Sequence, residues 1–480
     1  MKSLVTAHEP GAWDRRAAAR IGGRSRTGST LLMLALAAGA PPVVAQTDGQ
    51  QVLAIDMATA LRLADERNLD VALYLERVAE ASAEVTQSRT LAVPTLRIGA
   101  SYNRHSGGLQ ETGGQVLDVD RVSQFRGLGV GAVGAGDLPR AGVSLELDVA
   151  DAIFDPLAAR QNRAAAQAAS EANRQAVLLD VATAYLHLLQ ARMEASIAAE
   201  SLERAEELAS QTQDYADTGE GLPADAELAA VQPLVWQQKR RAAQEAVEAS
   251  TTALVRLLHL DPEVRLEPSE KAVPVIDIYG SDDDLNSLIT RALAARPETE
   301  QYEALVDAAQ TKLTAERYGL FVPRVSLNYS SGEFGGAPGS SIDDFGHRED
   351  LSLMLYWQFD QFGFANRGRM EQKRSQLRQI EYQRDRLRDV IVSEVREAYA
   401  RVMSFDEQRQ LAAEASERAE RAYDLNRERI FQNEGLPLEA LQAMQALADV
   451  QLMQLEATVG YSQAQIELNT ALGNPVNEAP

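Results

Sequence analysis

Two patterns of apolar and polar residues run along this chain, and each occurs twice. The first is helical: apolar positions, many of them alanine, recur every three to four residues over 55–92 and again over 284–321. Each run closes on a Val-Pro pair, Val93-Pro94 and Val322-Pro323, where proline removes the next helix donor. The second pattern has a period of two, as in a half-exposed strand. It covers "TLRIGASYN" with "AGVSLELDVAD", then "RVSLNYSSG" with "LSLMLYWQFDQ", each pair separated by a polar, glycine-rich stretch. Helical spacing then resumes over 156–218 and 367–433, tracts too long for an ordinary globular helix. Each tract stops at a Gly-Leu-Pro turn and comes back, over 224–260 and 438–472. A long helix that doubles back predicts a coiled-coil hairpin whose thin alanine-rich stripes need neighbours on both flanks.

The halves share matching residues at constant shifts. Arg67 and Val93-Pro94 match Arg296 and Val322-Pro323 at a shift of 229. Ala184-Tyr185 and Gly221-Leu222-Pro223 match Ala398-Tyr399 and Gly435-Leu436-Pro437 at a shift of 214. The change of shift puts about 15 extra residues in the first half, in the segment that holds Gly127 to Gly136. The expected layout is a signal peptide at 1–45, a first repeat at 46–260, a linker at 261–283, a second repeat at 284–476 and a tail at 477–480.

Each of the four strand-like runs is about nine to eleven residues long, the length of a tilted membrane-spanning strand. Tyr102, Phe154, Tyr356, Trp357, Phe359 and Phe362 lie in or beside them, as residues of an interfacial girdle do. A small soluble sheet with aromatic core residues is the other reading. Four strands cannot close a barrel, so a barrel requires several chains, and three would supply twelve strands.

Composition narrows the choice. Only 5% of residues are aromatic and none is cysteine, which excludes disulfides, thiolate metal sites and an acylated cysteine. Arg15, Arg16, Arg20, Arg24 and Arg26 precede a ten-residue apolar run from Leu31 and a small-residue site after Ala45, the grammar of a secretory signal. Its removal takes six basic and two acidic residues from a formal charge of −23, leaving −27, so a nucleic-acid partner is not expected.

Catalytic readings find little support. Gly129, Gly131 and Gly134 spell G-x-G-x-x-G, but an alternating strand rather than a helix N-terminus follows, so a dinucleotide loop is not expected. The five histidines are scattered, with no H-E-x-x-H and no G-x-S-x-G.

With these residues in place, the chain resembles the TolC-type outer-membrane efflux proteins. The resemblance rests on the duplicated order of helix, hairpin, long helix and return helix, on "LYWQFDQFGFANRGR" from Leu355, on "REAYARV", and on "ALGNP" from Ala471. It spans about residues 50–476. It implies a mainly α fold with a small β part, two repeats of long helical hairpins, and a homotrimer whose two strands per repeat make a twelve-stranded barrel in the outer membrane. It further implies a helical tunnel in the periplasm and passive export. The implied partners are a periplasmic adaptor and an inner-membrane transporter of the resistance-nodulation-division or ABC type, with no cofactor or metal. A soluble periplasmic coiled-coil scaffold or adaptor is the alternative.

On the same resemblance, residues 127–136 join the first two strands at the cell exterior. The turns Gly221, Leu222, Pro223 and Gly435, Leu436, Pro437 are adaptor-docking tips beside a tunnel gate. The family's acidic gate position falls on Glu227, its basic partner on Pro437, and its two constriction aspartates on Leu441 and Met444. The gate is therefore expected either to be an apolar ring or to use Glu434 and Glu439.

Overall fold

The computed structural model describes residues 45–47, 50–130, 140–219, 221–339, 341–431 and 437–476. All of them belong to the unit that begins at Ala45. The signal-peptide expectation lies outside the described residues.

Short strands β1 (Ala45–Thr47) and β2 (Gln50–Ile55) lead into α1 (Met57–Arg67) and α2 (Leu69–Arg89). The sequence predicts one helix here, and the structure breaks it at Asn68. The Asn68 side chain accepts from the amides of Asp70 and Val71, and its amide donates to the carbonyl of Leu257. An Asn side chain that caps a new helix is a better end for the old one than a continued turn. The second repeat breaks at the corresponding place, Arg296, which ends α5 (Leu285–Ala295) and precedes α6 (Pro297–Tyr318).

Strands β3 (Thr95–Leu96) and β4 (Ile98–Gln110) are followed by β5 (Val116–Val130), β6 (Arg140–Ala141) and β7 (Val143–Asp148). Helix α3 (Val149–Thr218) then runs for 70 residues, about 105 Å at 1.5 Å per residue. It begins seven residues before the expected start, because Asp148 caps it by accepting from Ala150 and Asp151, and Pro156 is carried inside its second turn. Helix α4 (Pro223–Leu257) returns, and β8 (Arg265–Pro268) pairs in parallel with β2. The second repeat contains α5 (Leu285–Ala295), α6 (Pro297–Tyr318), β9 (Arg324–Pro338), β10 (Gly346–Tyr356), α7 (Phe364–Phe431) and α8 (Pro437–Ala471).

The large sheet is a four-strand wall. Strand positions run in the order β3/β4, β5/β7, β9, β10, all antiparallel, with the outer edges of β4 and β10 unpaired among the described residues. Because β5 and β7 both pair with β9, at residues 331–338 and 324–329, they are two pieces of one strand interrupted by residues 129–142. This corrects the expected place of Gly127 to Gly136. The first two strands are joined by the turn at Glu111–Gln115, where Gly114 donates to the carbonyl of Glu111. Gly127 and Gly129 lie inside β5, and 131–136 fall outside the described residues. Gly127 has φ +144, and a Cβ there would sit 2.7 Å from the Cα of Gly332 on β9, so a side chain has no room. The interruption is also the extra stretch that separates the two repeat shifts.

The helices form a layer. Next to the sheet they neighbour one another in the order α2, α3, α6, α7, and at the far end in the order α4, α3, α8, α7. Its waist is the largest core, where Tyr185, Leu186, Leu188 and Leu189 of α3 pack with Ile55, Leu61, Leu254, Leu258 and Ile466. Matching tyrosines tie each long helix to the segment between the repeats, 261–283. The Tyr185 hydroxyl donates to Glu270 and lies 3.1 Å from the carbonyl of Ile55; Tyr399 donates to the carbonyl of Asp283 at 3.2 Å. Segment 270–280 is held on α8 by buried polar side chains, with Gln465 accepting from the amides of Ile278 and Tyr279 and donating to the carbonyl of Tyr279.

Tyr461 of α8 donates to Asp277 at 2.7 Å. Burial, then this carboxylate, pushes its phenol up to about 12. A raised phenol pKa gives stability that is intact below the ordinary value near 10 and is lost as pH rises through the folded value. The expected result is a fall in the urea midpoint between about pH 10 and 12. Tyr461→Phe should flatten that limb relative to wild type, and an unchanged limb would contradict the assignment.

Candidate functional site

The sheet wall has two unlike faces. Leu96, Val143, Leu145, Leu147, Val325, Leu327, Tyr329, Leu351, Leu353 and Leu355 share one face on the half nearest the helices. The other face carries Ser144, Glu146, Asp148, Arg324, Ser326, Asn328 and Ser352. An apolar outer band with a polar inner face is how a strand wall sits between lipid and water. Farther from the helices the apolar face turns charged, with Arg104 paired to Asp120 at 3.1 Å and Arg126 paired to Glu333.

The expected girdle divides between these faces. Tyr102 lies on the apolar face, and Trp357, Phe359 and Phe362 are exposed where β10 meets α7. Two of the six are corrected. Tyr356 is on the polar face with its hydroxyl toward Glu146, and Phe154, in α3, lines a cavity of about 370 Å³ on that same side. That cavity is lined on the sheet side by the pair Arg324 with Asp148 (3.0 Å) and on the helix side by Arg369 with Glu316 (3.1 Å). Burial there, with Asp148 and Asp155 nearby, raises the pKa of Asp151.

Phe362 is the most exposed of the group, at 97%. It is held out by a strained turn: Gln361 (φ 46°, ψ 48°) and Phe362 (φ 54°, ψ 28°) are both left-handed and are followed by Gly363 at φ 89°. Each non-glycine residue so placed costs about 1–2 kcal/mol. No sequence pattern announced this turn.

At the far end, α3 closes on Gly219, whose φ of +80 makes the reversal expected of Gly221. Gly221 instead permits a close approach, since a Cβ there would come within 3.1 Å of Tyr215. Leu222 is 65% exposed at the turn, and Pro223 opens α4 at its first position. Pro437 opens α8 likewise, while Glu434, Gly435 and Leu436 lie outside the described residues. Glu227 is exposed, and Glu439 pairs with Arg429 at 2.9 Å across the second turn.

Leu441 and Met444 do not form an exposed ring in this protomer. They are 7% and 1% exposed and pack with Ala198, Leu202, Trp236 and Ile430, in the core between the two hairpins. Both lie near the start of α8, with their side chains turned into the inter-hairpin core. Near them Tyr215 donates to the carbonyl of Ile430 at 2.6 Å, Arg427 pairs with Glu207 at 3.1 Å, and Arg204 lies over the Tyr423 ring. The two hairpins are thus tied to each other just above their tips. Sequence reasoning missed these links because they join residues more than 200 positions apart.

Helical hairpins in two repeats, continuous with a strand wall that is apolar outside and polar inside, define the fold of an outer-membrane channel protomer. Residues 288–474, most of the second repeat, match the family model described as Outer membrane efflux protein. Among solved structures, the outer-membrane channel OprN is 19% identical with a TM-score of 0.72, covering 88% of this chain and 90% of its own. VceC from Vibrio cholerae is 16% identical with a TM-score of 0.66, covering 88% and 96%. The MtrE outer membrane channel of Neisseria gonorrhoeae, in its open state, is 18% identical with a TM-score of 0.62, covering 88% and 89%. No curated protein sequence matches.

Proposed function

We propose that the chain is one third of an outer-membrane export duct, a trimer whose twelve strands close a barrel and whose helices form a periplasmic tunnel. The observation that carries this is the pair of open edges. Beta edges at β4 and β10 would leave unpaired amides in lipid, which is prohibitively costly. Below them the helix layer has free apolar faces of its own, with Leu69 and Leu73 on α2, Val231 and Leu234 on α4, and Leu411 and Leu425 on α7. One heterologous contact, α7 against the next α2 and α4, closes both edges at once when the rotation forms a ring. Light scattering of the detergent-solubilised protein should give the mass of three chains, and planar bilayers should show a steady conductance. A monomer released in the water-soluble periplasmic fraction would support the scaffold reading instead.

The duct takes its cargo from an inner-membrane transporter through a periplasmic adaptor, which docks on the tips. An exposed leucine at Leu222 is a ready anchor for an apolar pocket on such a partner. Leu222→Asp together with Leu436→Asp should weaken adaptor binding by about tenfold or more while leaving the trimer intact. Loss of the trimer would make these residues structural.

A further inference from the structure

At the junction of sheet and helices, cations stand on the outer side of the layer just below the exposed aromatics. Lys312, Glu316, Asn366 and Arg369 line the polar cavity and so mark the inner side of α6 and α7. Arg317 lies roughly 140° round α6 from Lys312, and Arg367 roughly 160° round α7 from Arg369, so both face outward. Arg89, the last residue of α2, is exposed at the corresponding end of the first repeat. None of the three makes an ion pair with a carboxylate among the described residues, although arginines elsewhere on these helices commonly do. Arg317 instead lies over the Tyr318 ring. Directly above are Phe321, 77% exposed, and Phe362 on its strained turn.

Cations that pair with no carboxylate among the described residues, one helical turn below apolar rings that the backbone is strained to expose, match the order of a bilayer interface: acyl boundary, then phosphate. We infer that Arg89, Arg317 and Arg367, with Phe321 and Phe362 above them, bind the phosphates of anionic glycerophospholipids in the inner leaflet of the membrane. The trimer would carry this site around its full circumference, and lipid charge would thereby set how deep the barrel rides. The inference rests on the barrel reading, and its test separates the two.

The trimer is reconstituted with spin-labelled phosphatidylglycerol or phosphatidylcholine, and the motionally restricted lipid is measured. Wild type should prefer the anionic lipid by about fivefold at low salt. Arg89→Gln/Arg317→Gln/Arg367→Gln should abolish that preference, and the matching triple Lys variant should retain it. Equal association of both lipids with wild type, or an unchanged preference in the Gln variant, overturns the inference and leaves the barrel standing. No restricted lipid of either kind overturns both. For depth, Phe362→Trp in a Trp357→Phe background, with buried Trp236 as constant background, should be quenched by lipids brominated near the headgroup. Quenching by acrylamide alone would place residue 362 in water and sink its part in the site.

Discussion

Met444→Asp should prevent assembly of a protease-resistant trimer. The side chain is almost wholly enclosed among Leu202, Trp236, Ile430 and Ala448, in the layer that joins the two hairpins. Removing a buried Met side chain costs about 2–5 kcal/mol. Leaving an unpaired carboxylate in its place adds roughly 3–5 kcal/mol, or forces the group to stay protonated. That is a large part of a typical domain's stability. Met444→Leu should cost under about 1.5 kcal/mol. The check is trimer yield with trypsin resistance of the tip region. Were the aspartate variant to fold normally and change only conductance, Met444 would face the pore and its packing between the hairpins would not be the state in the membrane.

Tyr185→Ala should be nearly as damaging, for a different reason. The ring fills the centre of the waist, so truncation leaves a cavity worth about 3–5 kcal/mol. It also strips Glu270 of its phenol donor. Tyr185→Phe keeps the ring and isolates the loss of the hydroxyl's bonds to the half-buried Glu270 carboxyl and the buried Ile55 carbonyl, about 1–3 kcal/mol. Comparison with Tyr399→Phe is informative, because that hydroxyl reaches only a half-buried backbone carbonyl. Urea midpoints should rank wild type, Tyr399→Phe, Tyr185→Phe, Tyr185→Ala in falling order. Equal effects of the two Phe variants would show that Glu270 does not depend on its partner.

The order of elements was legible because it is written twice and because helix and strand periods differ. Strand lengths were not. Beyond Asn103, β4 reads "RHSGGLQ", and β5 reads "DVDRVSQFRGLG"; neither has the alternation of a half-buried strand. They pair nonetheless, since backbone bonds to a neighbour already in register and cross-strand ion pairs such as Arg104 with Asp120 replace apolar contact. Side-chain direction around a helix was the other loss. An apolar residue on an alanine-rich helix can face the pore, a neighbouring protomer or its own hairpin, and Leu441 and Met444 face the last. Long-range cation links such as Arg427 with Glu207 leave no local trace at all.

The charged upper half of the wall has a consequence for what meets the cell from outside. On β9 the apolar face ends near Ser331, and the strand continues for seven more residues to Pro338, about 23 Å along its axis at 3.3 Å per residue. A wall that rises past the hydrocarbon stands among the sugars of the cell surface, and there it presents Arg104, Asp120, Arg126 and Glu333 side by side. An antibody or a phage tail fibre would read this checkerboard of opposite charges long before it reached the mouth of the duct, and its grip would loosen with rising salt.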